Sequence, residues 1–442
     1  MVLADTEEER FGTEILQKIK WRIIPLCFLL YFFNGMDRVN IGFAALQMNQ
    51  ELGITSLDFG RIASIFFVSY FLLQVPSNIL VEKIGARRWI GAIVIGWGLS
   101  TAAMFYAQTI TQVMLLRLLL GVFEAGFFPG MIYYFTMWFP ASERAKVTAL
   151  FMLSLPVSFA VAAPISGWIV QHMHFLDFAG WRWLFAIEGL PTVFIGMLTF
   201  VILADKPKDA KWLSEKEKTW LDRELKKEQA GKTFTESIGL TSILKNGMLW
   251  RLIAIYTFVQ AAAQAAGFWM PGLVKGFSKS FSDTQVGIIM ALPYLIAAIA
   301  MPLWASHSDK KGERKYHAAL PMLAAGLAFL LIMATDNLTL KILGVIIFGA
   351  TSMCYYGPFW ACVPSLLDPR IIAVGIAMIN AGSSIGTFGS NYIIGYIAQS
   401  SWGTNGVFIF EAVLCLLSFL LMVTMRSERK MITGSKDSKA LS

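Results

Sequence analysis

Two pairs of opposite charges lie inside stretches that are otherwise apolar, and they are the residues of this chain best suited to chemistry. Arg117 and Glu124 belong to LLRLLLGVFEAGFFPG, residues 115–130, and Asp37 and Arg38 belong to YFFNGMDRVNIGF. A charge at the centre of a membrane-spanning helix costs about 2.5–3.5 kcal/mol, so each must face protein or water. The spacing of seven puts Arg117 and Glu124 on one helix face, about 10 Å apart.

These residue types predict a switch between a proton and an anion. An arginine stays protonated, and its planar fork holds a carboxylate through two hydrogen bonds. A buried carboxyl can gain or lose a proton near neutral pH, because desolvation and a neighbouring arginine act on it in opposite directions. Ionised acids would occupy the arginines, and protonated acids would release them to an anionic solute. The alternative is a pair of permanent salt bridges, which stabilise a protein poorly because apolar replacements often do as well.

The composition predicts that a helical membrane bundle positions these charges. Of 442 residues, 56% are hydrophobic and 15% are charged, and the mean hydropathy is +0.60. Such a chain is too apolar for a soluble globule of this length. Twelve stretches are long enough to span a bilayer. They are residues 22–46, 57–80, 89–108, 111–136, 145–169, 184–204, 249–270, 284–305, 317–334, 339–362, 371–396 and 404–425.

The twelve stretches form two similar halves. The motif Glu82-x-x-Gly85-x-Arg87 recurs as Asp309-x-x-Gly312-x-Arg314, and two further matches have nearly the same offset, about half the chain. We therefore predict an all-α integral membrane protein with two pseudo-symmetric six-helix bundles and a site between them. The predicted units are a tail (1–21), a first bundle (22–204), a linker with an amphipathic helix (205–248), a second bundle (249–425) and a tail (426–442).

The distribution of basic residues predicts the orientation. With the N-terminus inside, 30 of the 37 Lys and Arg residues fall on the cytoplasmic side and five on the other. This asymmetry predicts that both termini are cytoplasmic. It also explains the net charge of +8 without a nucleic-acid partner.

Metal, cofactor and enzyme chemistry are not indicated. The cysteines, Cys27, Cys354, Cys362 and Cys415, all lie in apolar segments without C-x-x-C spacing, so we expect buried thiols. The histidines, His172, His174, His307 and His317, are predicted to be solvated loop residues. The chain contains no G-x-S-x-G, H-E-x-x-H or phosphate-binding glycine loop, and we predict that it is not an enzyme.

The charged pairs, together with the loop motifs, resemble those of the major facilitator superfamily and, within it, of the anion:cation symporter family. The resemblance covers nearly the whole chain. The matching segments are Asp37-Arg38 with Asn40, Arg117 with Glu124, IGARRW (84–89), SDKKGER (308–314), WRWLFAIEGLP (181–191) and DAKWL. Two positions depart from the loop pattern, since Glu82 replaces the usual Asp and Ser77 the usual Gly. The seventh segment has glutamines and no arginine, unlike the vesicular glutamate branch.

The resemblance implies roles for several residues. Arg38 would bind the substrate carboxylate, Asp37 and Glu124 would carry protons, and Arg117 would be the partner of Glu124. Tyr70 and Asn380 correspond to substrate-contacting residues of the sugar-acid branch.

Other candidates follow from the residues themselves. Gln260 and Gln264 share a helix face and could bind hydroxyl groups. Tyr355, Tyr356 and Trp360 could wall the pocket or pack in the core. The two loop motifs could gate the cytoplasmic side or only fix the topology. Glu188 and Glu411, near the outer ends of their segments, are predicted to have a capping or interface role.

We therefore expect a secondary transporter in a bacterial inner membrane that imports a small carboxylate with protons, acting as a monomer. A sugar acid or a hydroxylated dicarboxylate such as tartrate is favoured. The alternatives are an aromatic carboxylate as substrate, or a proton-independent exchanger of the same fold.

Overall fold

A computed structural model describes residues 2–230, 243–368 and 370–425, and every long element in these ranges is an α-helix. In chain order, the helices are α1 (Val2–Glu51), α2 (Ser56–Ile84), α3 (Ala86–Ala103), α4 (Ile110–Glu124), α5 (Phe127–Trp138), α6 (Ala141–His172), α7 (Gly180–Ile202), α8 (Glu215–Ala230), α9 (Gly247–Phe277), α10 (Asp283–Lys311), α11 (Lys315–Ala334), α12 (Leu338–Cys354), α13 (Tyr356–Leu366), α14 (Ile372–Gln399) and α15 (Gly403–Val423).

The helices confirm the predicted all-α membrane fold. Among the described residues, ten helical segments are long and apolar enough to cross a bilayer, with α4 and α5 counted as one segment and α12 and α13 as another. Two further helices, α1 and α14, complete the twelve. α1 carries Asp37 and Arg38 among its apolar residues, and α14 contains several Gly, Ser and Asn residues.

Two of the predicted spans are interrupted, and the interruptions fall at candidate site residues. The fourth span breaks between Glu124 and Phe127, and the tenth breaks at Tyr355. A proline follows each break, Pro129 and Pro358. Proline has no N–H to donate to the carbonyl four residues earlier. These carbonyls belong to Ala125 and Cys354, which lie at or next to the breaks. Discontinuous helices at midplane sites are a common feature of transporters.

Hydrogen bonds join the two halves toward one end of the bundle. We call the side on which α1 ends and α2 begins the closed face, and the side that carries α8 the linker face. Among the described residues, three hydrogen bonds join the halves: Leu57 N to Gln399 Oε1 (3.3 Å), Ser64 Oγ to Phe388 O (2.9 Å) and Thr284 N to Gln171 Oε1 (3.0 Å). All three lie toward the closed face.

Small residues permit this close approach. A Cβ added to Gly60 on α2 would stand 2.7 Å from the carbonyl oxygen of Asn391 on α14. Nearby, the rings of Phe59 and Trp269 meet edge to face at 4.9 Å. Glycine at such an interface lets two backbones pack directly against each other.

The predicted linker helix is confirmed as α8. Ser214 N donates to Glu217 Oε2 at 2.6 Å, and Glu217 N donates to Ser214 Oγ, which is the predicted capping box. Leu221 is fully buried, and Trp212, just before the helix, stacks on Trp138 at 5.7 Å. Lys18 binds Glu217 at 2.9 Å and so ties α8 to α1.

Replacing Glu217 with Ala should loosen α8. The change removes half of the capping box and the Lys18 ion pair, so we expect the opening free energy of α8 to fall by about 1 kcal/mol, as measured by amide hydrogen exchange. Burial acts to raise the pKa of Glu217, but Lys18 and Ser214 outweigh it and hold the pKa below its ordinary value. The stabilisation should therefore be complete above the unfolded pKa of about 4.3 and be lost as the pH falls below it. Lys226→Ala, in an exposed pair with Asp222, is the control and should change protection far less.

The four cysteines are buried free thiols, as predicted. The prediction of solvated loop histidines is wrong for His317, and its loop placement is also wrong for His172 and His307, which lie in α6 and α10. His172, His174 and His307 are exposed, but His317 is only 8% exposed. Because α11 begins at Lys315, His317 lies in its first turn and packs on Trp304 of α10. Its Nδ1 lies 2.7 Å from Glu313 Oε2 and its Nε2 lies 2.7 Å from His307 Nδ1.

The predicted N-terminal tail is helical from Val2 and continuous with the first span. Residues 231–242 of the predicted linker and the predicted tail 426–442 lie outside the described residues.

Candidate functional site

An ion pair between α1 and α4 is the centre of the candidate site. Arg38 Nε lies 3.4 Å from Glu124 Oε2. Asn34, one turn before Arg38, donates Nδ2 to the same oxygen at 2.9 Å. Glu124 is 1% exposed, and its Oε1 has no hydrogen-bond partner. One oxygen of the Glu124 carboxylate therefore has an ion-pair partner and a hydrogen-bond donor, and the other oxygen has no hydrogen-bond partner.

The second arginine is not the partner that the sequence led us to expect. We expected Arg117 to pair with Glu124, but the ion pair of Glu124 is formed by Arg38. Arg117 is 2% exposed and forms no ion pair with a described residue; its Nε has no hydrogen-bond partner. It interacts electrostatically with Glu124 and Asp37 over a longer distance. Arg117 does not reach Glu124 because it lies about two turns away from it along α4.

Asp37 is buried beside this pair. Its Oδ1 accepts a hydrogen bond from Asn40 Nδ2 at 3.1 Å, and its Oδ2 has no partner. It interacts electrostatically with Glu124, Glu188 and Arg117. The four predicted charges therefore form one cluster inside the first half.

Aromatic rings of α2 support the two guanidinium groups. Phe66 lies 6.0 Å from Arg38 Cζ and 5.0 Å from Arg117 Cζ. Tyr70, one turn later, lies 5.5 Å from Arg38 Cζ, which places this predicted residue at the cluster. The faces of these rings attract cations without neutralising them, so both guanidinium groups keep their capacity to bind an anion.

The second half contributes a polar group on α9. Gln260 Oε1 accepts hydrogen bonds from the hydroxyls of Tyr355 (2.5 Å) and Tyr356 (2.7 Å), at the break between α12 and α13. Trp360 is more distant, and its ring meets Tyr256 at 5.0 Å. Tyr356 interacts electrostatically with Arg38 of the first half. The candidate site therefore spans both halves.

Two predicted residues are not joined to this cluster. Gln264 is half-buried on α9, one turn after Gln260, and Asn380 is half-buried on α14. Within the described ranges, no hydrogen bond links either side chain to the charged residues, so their binding role stays a prediction.

The first loop motif ties α3 to α7. Gly85 has φ +99°, and a Cβ there would stand 2.5 Å from Asp205 Oδ1. Arg87 N donates to the same oxygen at 2.9 Å, and Arg87 Nε lies 3.9 Å from Asp205 Oδ2. Glu82, the predicted acid of the motif, is exposed. The acid that binds Arg87 is therefore Asp205, at the end of the last span of the half.

The second loop motif has a similar shape and a different partner. Gly312 ends α10 in the left-handed conformation, φ +62°, with its N–H bonded to the Asp309 carbonyl. Arg314 donates Nη1 to the Ala361 carbonyl on α13 at 2.8 Å. The Asp309 side chain is exposed. Each loop arginine thus connects two spans of its own half, and a gating role remains a prediction.

Sequence reasoning missed Asn34, Phe66 and Tyr256 as site residues. Asn34 could have been found because it is a polar residue one turn before Arg38 on an apolar helix. Phe66 gave no signal beyond its position one turn before Tyr70. Tyr256, which packs on Phe359 and Trp360, is indistinguishable from a core aromatic residue in the sequence.

A bundle of twelve membrane-spanning segments in two halves, with a charged site that reaches across their junction, defines a multi-pass membrane transporter rather than an enzyme. The chain belongs to the Major Facilitator Superfamily, whose family model matches residues 27–389.

Its relatives agree with this assignment. A protein of Agrobacterium vitis with the provisional name of tartrate transporter is 41% identical over 421 residues, which are 95% of this chain and 93% of that protein. An inner membrane transport protein of Escherichia coli K12 is 34% identical over 419 residues, 94% of this chain and 96% of its own. These relatives are consistent with the anion:cation symporter family.

A solved structure shows the same fold. The D-xylose-proton symporter matches with a TM-score of 0.74 at 15% identity, over 92% of this chain and 98% of its own. At this identity the match concerns the fold alone.

Proposed function

We propose that this protein is a proton-coupled symporter that imports a small organic carboxylate by alternating access. The Arg38–Glu124 ion pair, 3.4 Å long and reaching across α1 and α4, carries the proposal. Arg38 keeps 20% of its side chain exposed while Glu124 is enclosed. A solute can therefore reach Arg38, and it must compete with Glu124 for it.

Protonation of Glu124 would resolve this competition. A neutral carboxyl loses its attraction for Arg38, and the guanidinium is then available to hold a substrate carboxylate through two hydrogen bonds. Asn34 can continue to donate to the neutral group. Proton and anion therefore bind together, which is the requirement for symport.

The contacts between the halves suit an inward-open state. The hydrogen bonds that join the halves lie toward the closed face. The interaction of Arg38 with Tyr356, which in turn donates to Gln260, lies deeper in the bundle. Rocking the halves about this site would open the closed face and close the linker face. By the excess of basic residues, the linker face is cytoplasmic in this proposal, in a bacterial inner membrane.

A hydroxylated dicarboxylate such as tartrate is the substrate class we favour. Both tyrosine hydroxyls donate to Gln260 Oε1, which leaves the Nε2 group to donate to a solute hydroxyl or carboxylate. The provisional name of the Agrobacterium vitis relative points to the same class. An aromatic carboxylate is the second candidate, because Tyr256, one turn before Gln260, stacks on Phe359 and meets Trp360 edge to face.

Uptake into proteoliposomes tests the proposal. Purified protein should accumulate labelled tartrate when the outside is made acidic, and a protonophore should abolish the accumulation. Benzoate, as an aromatic competitor, should inhibit weakly. Accumulation that survives the protonophore would indicate a proton-independent exchanger, and strong inhibition by benzoate would favour the aromatic class.

A further inference from the structure

Three buried acids of the first half share one hydrogen-bonding pattern. Each has one oxygen that accepts a hydrogen bond from a neutral donor and one oxygen without a partner. Glu124 Oε2 accepts from Asn34, Asp37 Oδ1 accepts from Asn40, and Glu188 Oε1 accepts from Ser166 at 2.8 Å. The bare oxygens are Glu124 Oε1, Asp37 Oδ2 and Glu188 Oε2. The first two belong to the proposed coupling site, and Glu188 does not.

Glu188 is enclosed without a cation. It lies on α7, is 1% exposed, and forms no ion pair with a described residue. Of the helices packed against α7, α6 supplies Ser166 and α1 supplies Asn40 and Asp37, while α3 presents the neutral Thr101 beside Asp37. Burying an unpaired carboxylate is costly. The group therefore holds a proton in this conformation. The sequence predicts a capping or interface role, and the hydrogen bond from Ser166 on α6 is an interface contact and not a helix cap.

The acids form a series in depth below the closed face. At 1.5 Å per residue, Ser166 lies about 9 Å and Glu188 about 12 Å from the helix ends on that side. Asn40 lies about 16 Å deep, and Asp37 and Glu124 about 21 Å. Asn40 lies between Glu188 and Asp37, and these two acids interact electrostatically. Of these three buried acids, Glu188 is thus the nearest to the face that must open to admit a proton.

We propose that Glu188 is a third proton-coupling carboxyl, the station between the closed face and Asp37. When that face opens, Glu188 takes a proton from solution on Oε2. Glu188 then transfers this proton to Oδ2 of the ionised Asp37 and is left as a carboxylate. The next proton from solution neutralises that carboxylate. This step rests on the proposed symport, and it extends the coupling site from the midplane toward the closed face.

The other half offers a matched control. Glu411 on α15 occupies the repeat-related position, since Phe185-x-x-Glu188 matches Phe408-x-x-Glu411. It is 2% exposed, and neither of its oxygens has a hydrogen-bond partner. Among the described residues, no acid of the coupling site interacts electrostatically with Glu411. A purely structural role would make the two positions equivalent, whereas a relay role requires only Glu188.

The test compares Glu188→Gln, Glu188→Asp and Glu411→Gln as full-length proteins in proteoliposomes with labelled tartrate. We expect Glu188→Gln to lower the rate of acid-driven accumulation at least tenfold, to flatten its dependence on external pH, and to leave tartrate exchange at equal pH within about twofold. Glu188→Asp should restore most of the pH dependence, and Glu411→Gln should behave like the wild type.

An infrared measurement on the purified proteins, without substrate, provides a second readout. The carbonyl band of a protonated carboxyl should be weaker in Glu188→Gln than in the wild type. Normal acid-driven accumulation by Glu188→Gln, or an unchanged carboxyl band, would overturn the relay while leaving symport intact. Wild-type accumulation that ignores the proton gradient would instead refute the proposed function and the relay together.

Discussion

Glu124→Gln should abolish accumulation of the substrate against its gradient while leaving exchange of internal for external substrate intact. Glutamine has nearly the shape of a protonated glutamic acid, and its carbonyl can still accept the hydrogen bond that Asn34 gives to Oε2. It can neither release a proton nor attract Arg38, so the variant stays in the state that binds the anion. Exchange needs only that state, whereas net uphill transport needs the proton to leave on each cycle.

The measurement is uptake of labelled tartrate into proteoliposomes, first with an inward proton gradient and then with equal pH and internal unlabelled tartrate. We expect the first signal to fall to the level of empty liposomes and the second to persist. Asp336→Asn is a suitable control, because this exposed acid pairs with Lys341 at 3.8 Å at the bundle surface. Concentrative uptake by Glu124→Gln at the wild-type rate would contradict the switch.

The sequence was sufficient for the fold because a membrane imposes strong patterns. Spans must be long and apolar, their backbone bonds must close within each helix, and basic residues collect on one side. The capping box at Ser214 and Glu217 could be predicted because its bonds are local. The breaks after Glu124 and at Tyr355 also have a local signal, a Gly and a Pro within a few residues.

The predicted pairing of charges was wrong because the pairing depends on how helices are placed relative to one another. Two arginines lie near Glu124, and the family resemblance implied that Arg117, on the same helix, is its partner. The depth of each residue below the closed face makes Arg38 the partner instead. Arg38 lies about 20 Å and Glu124 about 21 Å below the closed face, whereas Arg117 lies only about 10 Å below it. The burial of His317 was missed for a related reason, since packing of Trp304 on α11 is a tertiary contact.

In the proposed mechanism Arg38, and not Arg117, binds the substrate carboxylate, and Arg38→Lys tests this assignment. Lysine keeps the charge but replaces a planar fork by a single ammonium, so the two parallel hydrogen bonds to a carboxylate are lost. We expect tartrate binding to weaken tenfold to a hundredfold, or about 1.4–2.8 kcal/mol, as measured by calorimetry at constant pH.

The pH dependence of binding distinguishes this loss from a general structural defect. In the wild type, affinity should rise as the pH falls, because protonation of Glu124 frees Arg38. Arg38→Lys should keep a rise of this sign, since lysine also pairs with the ionised Glu124, but from a weaker starting affinity. Arg61→Lys is the control, because Arg61 pairs with Asp58 at 3.4 Å near the closed face and touches none of the cluster. Unchanged tartrate affinity in Arg38→Lys would assign the substrate carboxylate to Arg117. Its guanidinium has no ion-pair partner among the described residues and lies 5.0 Å from the Phe66 ring and 5.6 Å from the Phe268 ring.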